Sequence, residues 1–124
     1  MNSDSTVKSM ARGRIAVGAG AWLAPNLFGR ALLLAPQNNP QAPYLARLFG
    51  ARDVALGVGT LAARGEARQT WLVAGLACDA ADAAAAVLGG RRGYLSTVAS
   101  ALLAAPAVAA TAVGAIAVAG ARGG

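Results

Sequence analysis

Residues 94–121 read YLSTVASALLAAPAVAATAVGAIAVAGA. From Tyr94 to Ala121 no side chain carries a charge. That run exceeds the ~20 residues a helix needs to cross the hydrocarbon of a bilayer. Pro106 lies inside it, where neighbouring helices can satisfy the freed carbonyl and a kink is expected. Tyr94 belongs at the interface, with Arg91 and Arg92 beyond it.

Two apolar stretches of matching length precede this span. Pro43 to Ala63 reads as one helix, with proline in its first turn. Ala67 to Leu88 reads as another, ended by Gly89-Gly90. Between them Arg64-Gly65-Glu66 leaves room only for a tight antiparallel hairpin. A first span over Ala11–Ala24 is followed by a kink at Pro25 and a short continuation to Ala35. The spans expected are therefore about 11–28, 43–63, 67–88 and 94–120. Residues 36–42, polar and rich in turn formers, make a loop.

Composition supports the same class. The 124 residues are 56% hydrophobic and only 13% charged, about half the charge of a soluble domain. One length of ~100–150 residues is one domain, so residues 1–124 are expected to form a single membrane domain. A single cysteine, Cys78, excludes a disulfide scaffold and reads as a small buried filler. With no histidine, imidazole ligands and histidine-based nucleophile pairs are excluded. The fold expected is all-α: a four-helix transmembrane bundle organised around the antiparallel hairpin of helices 2 and 3.

The net charge of +6 would suggest nucleic acid in a soluble chain. Here Lys and Arg bracket apolar segments, and no aromatic is interleaved with a basic run to stack bases, so no nucleic-acid partner is expected. Lys8, Arg12, Arg14, Arg64, Arg68 and Arg122 would flank the inner side and Arg30, Arg91 and Arg92 the outer. That bias puts both termini of a multi-pass cell-membrane protein in the cytoplasm. The basic lead and small residues Ala19-Gly20-Ala21 also fit a signal peptide, but the glycine-rich core is weak and apolar sequence continues past any plausible cut.

Small residues recur four apart: Ala51, Ala55, Gly59 and Ala63; Ala77, Ala81 and Ala85; Ala101, Ala105 and Ala109. Such stripes let membrane helices approach closely, and an alanine-rich chain also produces them by chance. Gly18-Ala19-Gly20 and Gly57-Val58-Gly59 lack the following strand-to-helix context of a phosphate loop and read as packing glycines. Trp22 and Trp71 read as interface or packing aromatics.

Five ionisable residues fall inside the second and third spans: Arg47, Arg52, Asp53, Asp79 and Asp82. Each Asp or Arg near a helix centre costs ~2.5–3.5 kcal/mol on insertion scales. The hairpin supplies compensation. Arg52 lies as far before the connection as Asp79 lies after it, so at ~1.5 Å per residue the two reach nearly the same depth. Arg52 is expected to face Asp79, with Arg47 or Arg52 also reaching Asp82. Asp79 and Asp82, three apart, share a face. Arg52 and Asp53, adjacent, point ~100° apart, so Asp53 needs another partner: a hydroxyl such as Thr60 or Thr97, a water, or Arg47. Two arginines then meet three aspartates, and a carboxyl buried without a counter-ion takes up a proton more readily.

Asp79-Ala-Ala-Asp82 has the spacing of half a magnesium-diphosphate motif, with no second cluster to complete it. Neither a metal nor a cofactor is expected. Two function classes lead: a membrane component or accessory subunit with no enzymatic activity, and a small transporter or carrier using a midplane Asp/Arg site for a proton or cation; an enzyme on lipid or prenyl substrates and a soluble alanine-rich bundle stand behind them. Besides the lipid bilayer, the partner expected is a second copy of the chain or a larger membrane complex.

The phrase Phe49-Gly50-Ala51-Arg52-Asp53-Val54-Ala55-Leu56-Gly57, with Asp79-Ala80-Ala81-Asp82 downstream and Ala24-Pro25 upstream, resembles small four-span membrane proteins of unknown function common in actinobacteria. The layout is also similar, more distantly, to the four-helix DoxX-type membrane proteins. The first resemblance implies four spans and no established activity.

Overall fold

The computed structural model describes residues 3–123, with side chains described from residue 4 to residue 120. Five α-helices follow one another: α1 (Ser3–Leu23), α2 (Pro25–Ala31), α3 (Ala42–Ala62), α4 (Gly65–Arg92) and α5 (Thr97–Gly123), with a 3-10 turn at Pro36–Asn38 before α3. No strand occurs among the described residues. The all-α expectation holds. The chain divides into two compact units, Met1–Trp71 and Leu72–Gly124.

In the first unit, α1 starts about two turns earlier than its apolar run, at Ser3, with Asp4 in its first turn. It breaks where expected. Ala24 adopts φ −134°, ψ 63° ahead of Pro25, because the proline ring disfavours α-helical backbone in the residue before it. The connector after α2 holds two left-handed residues, Leu33 (φ 58°) and Ala35 (φ 47°), each costing roughly 1–2 kcal/mol. The amide of Asn39 offsets part of that cost by donating to the carbonyls of Leu34 (2.8 Å) and Ala35 (3.0 Å).

α1 and α3 pack antiparallel. Ala11 and Ile15 lie at Gly57, Ala21 lies at Gly50, and Gly18 lies between Gly50 and Val54. A Cβ on Gly18 would stand 2.5 Å from the Gly50 carbonyl, and one on Gly50 equally close to the Gly18 carbonyl. The backbones meet directly there. The buried residues are Val7, Ala11, Arg14, Gly18 and Ala21 on α1 and Gly50, Asp53, Leu56, Gly57 and Thr60 on α3. Apart from Leu56 they alternate in steps of four and three, the spacing of a coiled seam. Only Ala63 and Arg64 are non-helical between α3 and α4. The first turns of α4 fold back on the end of α3: Arg68 Nε donates to the Thr60 carbonyl (3.1 Å), and the Trp71 ring covers Gly59.

In the second unit, α4 does not stop at Gly89-Gly90 but continues to Arg92. A Cβ on Gly89 would meet Leu95 at 2.5 Å and one on Gly90 would meet Ser100 at 2.5 Å. Those glycines serve close packing of the turn. The stop is Gly93, at φ +83°, the left-handed position that closes a helix. α5 begins beyond Tyr94: Ser96 Oγ accepts from the Ala99 amide (3.1 Å), an N-cap. α5 then runs antiparallel to α4, with the Ser100 hydroxyl donating to the Ala86 carbonyl (2.8 Å) and Gly114 against Leu76.

Of the four spans expected, α4 and α5 are long and apolar enough to cross a membrane. The charges explain the difference. α1 carries Asp4, Lys8, Arg12 and Arg14, and α3 carries Arg47, Arg52 and Asp53.

Candidate functional site: a buried ion cluster in the helix seam

Arg14 and Asp53 are among the few buried charged residues, at 9% and 6% exposure. They occupy the seam of α1 and α3 between the two places where the backbones touch, Gly18–Gly50 on one side and Ala11–Gly57 on the other. Arg14 Nη1 lies 3.6 Å from Asp53 Oδ1, and Arg52 Nη2 lies 4.0 Å from the same oxygen. Asp53 therefore sits between two guanidiniums. Burying each ion costs several kcal/mol, which opposite charges offset only when both are held in place. The glycine contacts above and below supply that fixation.

Sequence reasoning missed Arg14. A helix beginning at Ala11 leaves Arg14 as a flanking charge; one beginning at Ser3 puts it mid-helix, facing α3. Its spacing was the available signal, for Arg14 falls in step with Ala11, Gly18 and Ala21. Adjacent residues on a helix do diverge, yet the long Arg52 side chain curls back to Asp53 while its guanidinium lies 5.1 Å over the Phe49 ring. Thr60, one hydroxyl considered for Asp53, donates instead to the Leu56 carbonyl of its own helix (2.8 Å).

No family model, curated protein or solved structure matches this chain. The geometry of the seam therefore carries the functional reading.

Arg47 reaches across to the end of α1. It is exposed, its Nε donates to the Trp22 carbonyl (3.1 Å), and its guanidinium lies 5.9 Å from the Trp22 ring centre. The helix break at Ala24 frees carbonyls at the end of α1, and Arg47 caps one of them. Phe28 of α2 stacks on Phe49 with ring centres 5.5 Å apart.

On α4, Asp79 is buried at 5% exposure and Asp82 is half-buried. Both belong to the stripe Leu72, Gly75, Asp79, Asp82, Ala86 and Gly89, so the shared face expected of the pair is present. The alanine stripes fare differently. Ala51, Ala55, Ala77, Ala81, Ala85, Ala101, Ala105 and Ala109 are all exposed, with only Gly59 and Ala63 half-buried. The faces that pack are those of glycine and charge. Cys78 is half-buried.

At the far end of the first unit, Asp4 receives Arg68 Nη1 at 2.9 Å and Lys8 Nζ at 3.1 Å. The Arg68 bond, then the Lys8 bond, hold its carboxyl below the ordinary value.

Proposed function

We propose that this chain is a small integral membrane protein with no catalytic activity, acting as a structural component or accessory subunit. Its four long helices cross the cell membrane and both termini lie in the cytoplasm. The single observation that carries this reading is the Arg14–Asp53–Arg52 cluster, sealed between backbone contacts. Charge held in that way specifies which helices associate and in what register. Two guanidiniums on one carboxylate favour this role over carriage of a proton or cation through Asp53, which requires a carboxylate open to water. Support for the membrane comes from α4 and α5, both long and apolar enough to cross it. The α5 residues Val98, Leu102, Val108, Val113 and Ile116 are all exposed. For orientation, Lys8, Arg12, Arg64 and Arg68 remain inner-flank charges, Arg14 leaves that count, and the Arg122 side chain lies outside the described residues.

The test is fractionation of the full chain with an alkaline carbonate wash, combined with the double exchange Arg14→Asp with Asp53→Arg. Retention in the bilayer pellet, with the exchange restoring stability lost in either single variant, is the expected result. Release into the wash would overturn the membrane assignment. Recovery only as a lone monomer in mild detergent would overturn the subunit role.

A further inference from the structure

We propose that Arg47, laid over Trp22, is a receptor for the phosphodiester of an anionic phospholipid headgroup. This rests on the membrane reading above and adds a lipid class to it. The Nε of Arg47 is fixed on the Trp22 carbonyl and the guanidinium is steadied by the indole face. Its two terminal amino groups have no acceptor among the described residues, and the residue is exposed. A guanidinium fork held in this way presents paired donors in the geometry a phosphate oxygen pair accepts.

The surroundings select a lipid over a soluble phosphate. Trp22 (49% exposed), Leu23 (79%) and Leu27 (60%) surround the break between α1 and α2. Tyr44 (64%) lies one turn before Arg47 on α3. Indole and phenol rings beside an arginine, with leucines next to them, match the level where headgroup meets acyl chain. No Asp or Glu occurs from residue 5 to residue 52, so α2, the connector and the start of α3 offer no internal competitor for the anion. Asp53 is engaged by Arg14 and Arg52.

The experiment uses the full chain with Trp71→Phe, which leaves Trp22 as its single indole, in vesicles of phosphatidylcholine containing brominated phosphatidylglycerol or brominated phosphatidylcholine. Trp22 fluorescence should be quenched about fivefold more effectively by the anionic lipid, the factor one arginine near a bilayer surface supplies. Arg47→Ala should bring the two lipids to parity. Arg47→Lys, which keeps the charge and removes the fork, should fall between the parent and Arg47→Ala while keeping the helices paired. Equal quenching in the parent chain, or an undiminished preference in both variants, overturns the proposal. Displacement of the lipid effect by soluble glycerol phosphate overturns it as well, by assigning the site to free phosphate. Flotation of the same vesicles reads insertion separately: a chain that floats without lipid preference sinks this inference alone, and one that does not float sinks the membrane reading with it.

Discussion

Gly57 and Gly20 meet opposite surroundings when a methyl group is added. At Gly57 the new carbon would lie 2.5 Å from the Ala11 carbonyl and 2.6 Å from Ile15; at Gly20 nothing lies within 4 Å. Gly57→Ala should therefore destabilise the chain by about 1–3 kcal/mol, as overpacked cores do. Gly20→Ala should be neutral or stabilising by up to ~1 kcal/mol through helix propensity. Thermal melting of both variants in one detergent checks the contrast. The ion cluster makes a second prediction at this scale. Arg14→Ala removes the nearer of the two guanidiniums at Asp53 and should cost up to about 3–5 kcal/mol, the range for a broken buried pair, whereas Arg14→Met with Asp53→Leu should lie near the parent. A double-mutant cycle that proved additive would contradict the geometry.

Among the elements, α5 depends on its first turn. Ser96→Ala removes the acceptor for the Ala99 amide and should cost about 1 kcal/mol, seen as faster hydrogen exchange confined to the start of α5. The breaks between helices were legible because their causes are local: proline at position 25 and the short connection before Gly65, itself at φ +59°. Gly89-Gly90 misled for a physical reason. Glycine serves both to end helices and to let backbone approach another segment, and only Leu95 and Ser100 reveal which applies. The packed faces were hidden too. A helix of small residues whose charges fall on more than one face gives no clear periodic signal for its buried side, so the alanine stripes pointed outward while Gly50, Asp53 and Gly57 made the contact. Arg47 escaped for a related reason: its partner is a ring and a carbonyl freed by a distant break, which charge counting does not see.

At the scale of the whole molecule, the helical class was legible from composition and charge-free length alone, whereas the role of Arg14 required knowing that α1 starts at Ser3. The Asp4–Arg68 bond ties the start of α1 to the start of α4. Because Asp4 has a folded value below the ordinary 3.8, its stabilising effect is complete above that pH and is lost as pH falls through the lower folded value. The protection factor of the second-turn amides of α1, exchange corrected for its intrinsic pH dependence, should stay constant from neutral pH down to about pH 4 and fall below it. In Asp4→Asn it should be low throughout. The guanidinium midway along α1 also has a consequence for biogenesis. As the ribosome extends the chain, Arg14 emerges well before Asp53, and an unaccompanied α1 would carry a ~2.5–3.5 kcal/mol penalty into lipid at that one side chain. In the proposed membrane, α1 must wait beside the translocon until α3 arrives, and a nascent chain halted ahead of Tyr44 should leave its leading helix outside the hydrocarbon.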